Sequence, residues 1–265
     1  MLNIVLPIAG RGSRFVEAGF RLPKPLIEVR GKPMIEVVVD NLRPSRTHHF
    51  TFLALAEHLG QLALRETLWR IAPGCTIIPV SQVTEGAACT VLLGRDVIDN
   101  DAPLMLANSD QWVDADIDVY LDRLDRCKAD GLIMTMWSEH PKWSYVGFNE
   151  FGDVNRVVEK EVISRDATVG IYNFARGKDF VSGAERMIAK DQRVNGEFYV
   201  APVYNELIAD GAKIAVYNVG REGDGMYGMG IPSDLEEFLS RPASARAVTG
   251  GFRRPRVSTD DESRA

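Results

Sequence analysis

Residues 2–15 read LNIVLPIAGRGSRF, and this stretch decides the fold. Leu2–Leu6 is a short run, apolar except for Asn3, the pattern of a strand buried on both faces. It ends at Pro7. A small, polar, glycine-bearing loop follows, Ile8-Ala9-Gly10-Arg11-Gly12-Ser13-Arg14-Phe15. In an open parallel sheet, ligands bind beyond the carboxyl ends of the strands, which is where this loop falls. Gly10 and Gly12 let backbone N–H groups approach an anion closely. Arg11 and Arg14 add positive charge, so a triphosphate is the expected guest.

Outward from the loop, apolar strands alternate with helical patterns. Arg21–Leu26 (RLPKPL) is expected to be non-helical, because two prolines flank Lys24. Met34–Leu42 reads as a helix with Pro33 at its start. Phe50–Ala56 reads as a strand, Leu59–Ile71 as a helix, Cys75–Val80 as a strand, Glu85–Leu93 as a helix and Pro103–Ala107 as a strand closing on Asn108-Ser109-Asp110. This order predicts an α/β fold with a doubly wound, mostly parallel sheet. Later segments follow a looser pattern. Gly131–Met136, Tyr145–Phe148, Val154–Glu159, Ala167–Phe174 and Lys213–Asn218 read as strands, and Phe180–Ile188, Phe198–Asp210 and Asp234–Leu239 as helices. They predict a smaller second lobe.

The loop is not a familiar dinucleotide or P-loop motif. A Walker A loop requires Lys-Ser/Thr after its last glycine, and none follows. A G-x-G-x-x-G fingerprint requires glycine where Phe15 stands. Two other residues converge on the same crevice. Lys24 is a cation on a stiffened segment, which lowers the entropy lost on gripping a phosphate. Asp110 ends a strand, and a carboxylate there suits Mg²⁺ shared with substrate phosphates.

Composition narrows the class. The 265 residues carry a net charge of −6 and 45% hydrophobic residues, enough for one large core and not a nucleic-acid-binding balance. Residues 241–265 hold six Arg against three Asp/Glu, a local +3 that leaves −9 on residues 1–240. That Arg-, Ser- and Pro-rich segment is expected to be a disordered tail. Cys75, Cys89 and Cys127 have no metal or redox spacing and are expected to be reduced thiols. No signal peptide and no span of roughly 20 apolar residues is legible, so a cytoplasmic protein without membrane or nucleic-acid partners is expected. The state of association is left open, a homo-oligomer included.

The runs LPIAGRGSRF, LPKPLIEVRGKPMI and NSD, in that order, resemble the sugar-1-phosphate nucleotidylyltransferases over about residues 1–240. The branch found in capsule and surface-polysaccharide gene clusters is the most similar, and some of its members use CTP. The resemblance implies a Rossmann-like nucleotidyltransferase fold, with nucleotide binding in about 1–115 and acceptor binding in about 116–240. It implies an NTP (CTP, UTP or dTTP), Mg²⁺ and a small phosphorylated acceptor, by default a sugar 1-phosphate, the alternative being a CTP-dependent cytidylyltransferase acting on a non-sugar phosphorylated small molecule. Arg14 and Lys24 take catalytic roles. Ala9, Gly10, Gly12, Ser13, Arg14, Gln82, Gly86, Asn108 and Asp110 bind the nucleotide, and Asp110 also binds metal. Gly147, Glu159, Lys160, Val169 with Gly170, and Glu197 contact the acceptor.

One departure stands out. The family has a second metal-binding Asp near its end, and Gly228 occupies that position in Met226-Tyr227-Gly228-Met229-Gly230-Ile231-Pro232. Asp224 is a candidate substitute. Trp112 and Trp143 are read either as stacking residues or as packing at the rim. Asp114, Asp116 and Asp118 are read as exposed turn and helix-start residues. A glycosyltransferase would not need the RGSRF and PKP pair, and a non-catalytic nucleotide-binding protein has only the missing Asp in its favour.

Overall fold

A computed structural model describes residues 1–60 and 62–251. The chain opens with β1 (Leu2–Ile8), α1 (Ser13–Glu17) and a 3₁₀ turn at Lys24–Leu26. A small hairpin follows, β2 (Glu28–Val29) and β3 (Lys32–Pro33). Then come α2 (Met34–Leu42), β4 (His48–Leu55), α3 (Ala56–Gly60), α4 (Leu62–Ile71), β5 (Thr76–Val80), α5 (Ala87–Leu92), α6 (Arg95–Ile98) and β6 (Leu104–Ala107). The rest comprises β7 (Gln111–Val113), α7 (Ile117–Cys127), β8 (Gly131–Trp137), β9 (Ser144–Phe148), β10 (Val154–Glu159), β11 (Asp166–Phe174), α8 (Gly177–Ala189), α9 (Val203–Ala209), β12 (Ile214–Glu222), β13 (Gly225–Gly228), α10 (Pro232–Ser240) and α11 (Pro242–Thr249).

The main sheet runs β5-β4-β1-β6-β11-β8-β12-β13-β7, with the β9/β10 hairpin attached to β11. β5, β4, β1 and β6 are parallel, so the predicted doubly wound half is present. The chain builds outward from β1 to β4 and β5, then returns to place β6 on β1's other side. That reversal is the switch point where open α/β sheets bind ligands. β11 enters antiparallel between β6 and β8, which makes the sheet mixed beyond β6.

β1 shows why an apolar run suits this position. Leu2, Ile4 and Leu6 point into a core shared with α2, α4 and α7, while Val5 points into a second core with α5, α8 and α9. Successive side chains alternate across the strand, so a strand covered on both faces is apolar nearly throughout, Asn3 being the buried polar residue of β1. Each fully buried aliphatic side chain contributes about 1.5–3 kcal/mol.

Three expectations need correction. Residues 242–249 are not disordered but form α11, with Ala243, Ser244 and Ala247 buried. Pro242 suits the first turn, Ala243 and Ala247 share a face, and Arg246 reaches Asp114 at 2.6 Å. Residues 252–265 of that expected tail lie outside the described residues. Lys24–Leu26 is a single 3₁₀ turn rather than non-helical, since the N–H that Pro25 lacks falls in a first turn, where no intrahelical acceptor awaits it. The helix expected from Phe198 starts only at Val203. Phe198 is held extended by its N–H to Glu85 O (2.8 Å) and by Ala88 N–H to its carbonyl (3.0 Å).

Candidate active site

The loop after β1 turns at Gly12, whose φ is +63°. A Cβ at Gly12 would lie 3.0 Å from Lys24 Cβ, so glycine lets the loop rest on the Pro-Lys-Pro segment. Lys24 Nζ donates to Asp110 Oδ2 at 2.5 Å, with the two side chains 19% and 29% exposed. Met229 N–H donates to the Asp110 carbonyl at 2.7 Å. A Cβ at Gly230 would lie 3.0 Å from Asp110 Oδ2. Four separate segments therefore meet at the β1/β6 switch point: the glycine loop, the PKP turn, the end of β6 and the run after β13. Arg14, Ser13 and Gly10 are exposed there, and Ala9 is buried beneath them.

Asn108 is exposed beside this cluster, and its N–H donates to Gly170 O at 2.9 Å. Gly170 sits at φ +80° where the β8/β11 register shifts, and a Cβ there would press on Asn108 Cγ at 2.7 Å. The Val169-Gly170 bulge thus touches the strand end that carries Asp110, although Val169's own side chain is buried in the core.

Gln82 is exposed in the segment after β5. Gly86 has φ +128°, and a Cβ there would lie 2.6 Å from Phe198 N. This glycine fastens the 82–88 segment to residues 197–199.

The acceptor candidates converge in part. Glu159 is buried and accepts a hydrogen bond from the Ser144 hydroxyl. Burial pushes its carboxyl above the ordinary range, against the pull of Ser144 and Lys160. Lys160, in a left-handed conformation at φ +59°, donates from Nζ to the Tyr199 hydroxyl at 2.7 Å and lies over the Tyr199 ring at 4.8 Å. Glu197 is close enough for its charge to act on Glu159, Lys160 and Tyr199. Gly147 stands apart. It lies three residues along β9 from Ser144, roughly 10 Å away, and its side-chain direction is filled by Arg156 and Ile163.

Two residues were missed in the sequence. Tyr199 follows Glu197 by two positions, and the period-2 rule for extended chain would have placed both on one side. The second is Asp234, in the first turn of α10, whose Oδ2 lies 3.3 Å from the place of a Cβ at Gly228. Burial, and the charges of Glu222, Glu237 and Asp110, push its carboxyl upward against the pull of Lys142. Asp224 does not take this place. Gly228 pairs with Gln111 and Met226 with Val113, which carries Asp224 roughly 13 Å down the strand.

No group of three or more metal-ligating side chains occurs among the described residues. Asp110 nevertheless suits Mg²⁺, which is held by one or two carboxylates plus substrate phosphates rather than by an all-protein cage. The space that a Cβ at Gly230 would fill keeps Asp110 Oδ2 uncovered on that side. The aromatic and acidic alternatives take structural places. Trp112 is buried against Tyr227 and Phe238, Trp143 is half-buried against the main core beneath the Lys142 ammonium, the Asp114 side chain is only 3% exposed and pairs with Arg246, and Asp116 caps α7 by accepting from Asp118 N–H. Cys75, Cys89 and Cys127 are free thiols. No described helix is long and apolar enough to cross a membrane.

Residues 3–196 match the model of the family described as nucleotidyl transferase. The chain is 27% identical over 270 residues to the bifunctional protein GlmU of Bordetella petrii, covering 95% of this chain and 55% of that protein. It thus spans about half the length of that relative. It is 24% identical over 244 residues to the UTP–glucose-1-phosphate uridylyltransferase AglF of Haloferax volcanii, covering 91% and 96%. The solved nucleoside-diphosphate-sugar pyrophosphorylase of Vibrio cholerae RC9 superposes with a TM-score of 0.75 at 25% identity, covering 91% of this chain and all of that one. With a glycine loop, a Pro-Lys-Pro lysine and a strand-end aspartate gathered at one switch point, and with most of its length matching the family model, this chain belongs to the nucleotidyl transferase family.

Proposed function

We propose that the chain transfers a nucleoside monophosphate from an NTP to a small phosphorylated acceptor, a sugar 1-phosphate, releasing pyrophosphate. The observation that carries this reading is the Lys24–Asp110 pair at the β1/β6 switch point, beside the exposed Arg14. The names of the relatives, which speak of sugar 1-phosphates and nucleoside-diphosphate-sugars, support the acceptor class.

The acceptor phosphate is largely dianionic at neutral pH, because its second pKa is about 6. It needs no general base, in keeping with four His that fall outside the site motifs. A phosphate oxygen attacks the α-phosphorus, a new P–O bond forms, and the bond to the β-phosphate oxygen breaks with its electron pair leaving on pyrophosphate. Positioning and charge neutralisation supply the rate. Arg14 and the Gly10–Gly12 backbone meet the triphosphate. Lys24 neutralises charge beside it, and Lys160, held by Tyr199, orients the attacking phosphate. Asp110 would hold Mg²⁺, which neutralises charge on phosphate oxygens when bound. Nucleotide binding by about residues 1–115 and acceptor binding by about 116–240 belongs to the same proposal, as does a place in surface-polysaccharide synthesis.

The test is pyrophosphate release from ATP, CTP, GTP, UTP and dTTP with Mg²⁺ against a panel of sugar 1-phosphates and non-sugar phosphates. Release should require one NTP and one acceptor class, and Arg14→Ala should lower it by roughly 10³–10⁵ without loss of fold. Nucleotide binding with no release from any pairing would overturn the proposal.

A further inference from the structure

Gly228 and Gly230 stand two residues apart, and each has a carboxylate where a side chain would otherwise begin. Asp234 Oδ2 lies 3.3 Å from the Cβ position of Gly228, and Asp110 Oδ2 lies 3.0 Å from that of Gly230. The two glycines leave a cradle, and two aspartates from different elements line it. Asp110 comes from the turn between β6 and β7, and Asp234 from the first turn of α10. Asp110 is already engaged by a cation, the Lys24 ammonium at 2.5 Å.

We propose that Asp234 is the second carboxylate of the divalent-cation site, reaching from α10 into the space left by the missing side chain at position 228. The inference rests on the nucleotidyl-transfer reading above. Two carboxylates from separate segments, completed by phosphate oxygens, are a donor set that Mg²⁺ accepts. Carrying the second one on a helix rather than on β13 ties the placement of α10 to the cation. The competing role for Asp234 is structural, since an acidic residue in a first turn complements the helix dipole.

The experiment titrates the full-length protein with Mn²⁺ alone, bound metal being read by electron paramagnetic resonance and the fold by melting temperature. Wild type should show one site. Asp234→Asn and Asp110→Asn should each weaken it at least tenfold. The double variant Gly228→Asp/Asp234→Ala, which moves the carboxylate back onto β13, should bind within about threefold of wild type, an outcome that repair of a helix dipole does not produce. Absence of Mn²⁺ binding by wild type, unchanged affinity in Asp234→Asn, or loss without recovery in the double variant would each overturn the assignment. Pyrophosphate release by the wild type judges the underlying reading separately. An active wild type whose Mn²⁺ affinity ignores Asp234 sinks only this inference, whereas an inactive one sinks the reading itself.

Discussion

Lys24 and Asp110, 86 residues apart in the chain, meet at 2.5 Å and join the Pro-Lys-Pro turn to the end of β6. Both side chains keep contact with solvent, so the pair contributes only about 0–1 kcal/mol to stability. Its worth lies in holding a cation and an anion where phosphates arrive. Lys24→Ala is expected to lower turnover by roughly 10²–10³, the scale for removing one stabilising group from a transition state, while urea unfolding shifts by less than about 1 kcal/mol. A large stability loss with turnover preserved would make the pair a structural clamp.

Gly86 fastens the 82–88 segment, proposed for the nucleotide, to residues 197–199, proposed for the acceptor. Its φ of +128° and the 2.6 Å approach of Phe198 N to its Cβ position leave no room for a side chain. Gly86→Ala should destabilise by more than about 1 kcal/mol, since alanine is strained at positive φ. Because the same contact holds residues 197–199, KM should rise for the acceptor as well as for the nucleotide. Steady-state kinetics with each substrate varied in turn checks this, and a rise confined to the nucleotide would show that the contact does not couple the two segments.

Glu159 is held at a cost to the fold. Burial raises its carboxyl above the ordinary value of about 4.3, so between that value and the raised one the folded state binds more protons than the unfolded state. Its contribution is therefore complete below about pH 4.3 and is lost as pH rises through the raised value. Glu159→Gln removes the titration. The variant should gain stability relative to wild type as pH rises from the ordinary carboxylate range through the raised value and then hold level, measured as the difference between urea midpoints across a pH series, and should lose acceptor affinity. A difference that shrinks with rising pH would contradict the sign.

Arg246 anchors α11. It reaches the 3%-exposed Asp114 side chain at 2.6 Å and lies 6.0 Å over the Trp112 ring. Arg246→Ala should cost about 1–3 kcal/mol even though Asp114 keeps other interactions. That corresponds to a fall of roughly 2–6 °C in Tm for a chain of this size, with kcat unchanged in the folded fraction. Loss of kcat without loss of Tm would move α11 from scaffold to site.

Much of the fold was legible because its cause is local. The apolar run of β1, the glycines after it and the alternation through β6 follow from period-2 and period-3.6 patterns, and those patterns dictate a parallel, doubly wound half. Arg14, Lys24 and Asp110 were marked for the same reason, each standing in or beside a connection that a local pattern predicts. α11 was not, because alanines among arginines look like a solvated tail until Asp114 and the groove beside Trp112 are in place to receive them. Asp234 at Gly228 was equally invisible, and for Tyr199 the only local signal was its period-2 spacing from Glu197, which does not show that it meets Lys160. Lys160 and Tyr199 are 39 residues apart, and Asp110 and Asp234 come from elements joined only through the order of strands. By itself, then, the sequence determined most elements of the parallel half and marked three charged groups at one end of its sheet. Only the tertiary structure decided that Asp234 stands beside Gly228 and Lys24 beside Asp110, because a side chain's neighbours depend on strand order and register, and no local pattern encodes either.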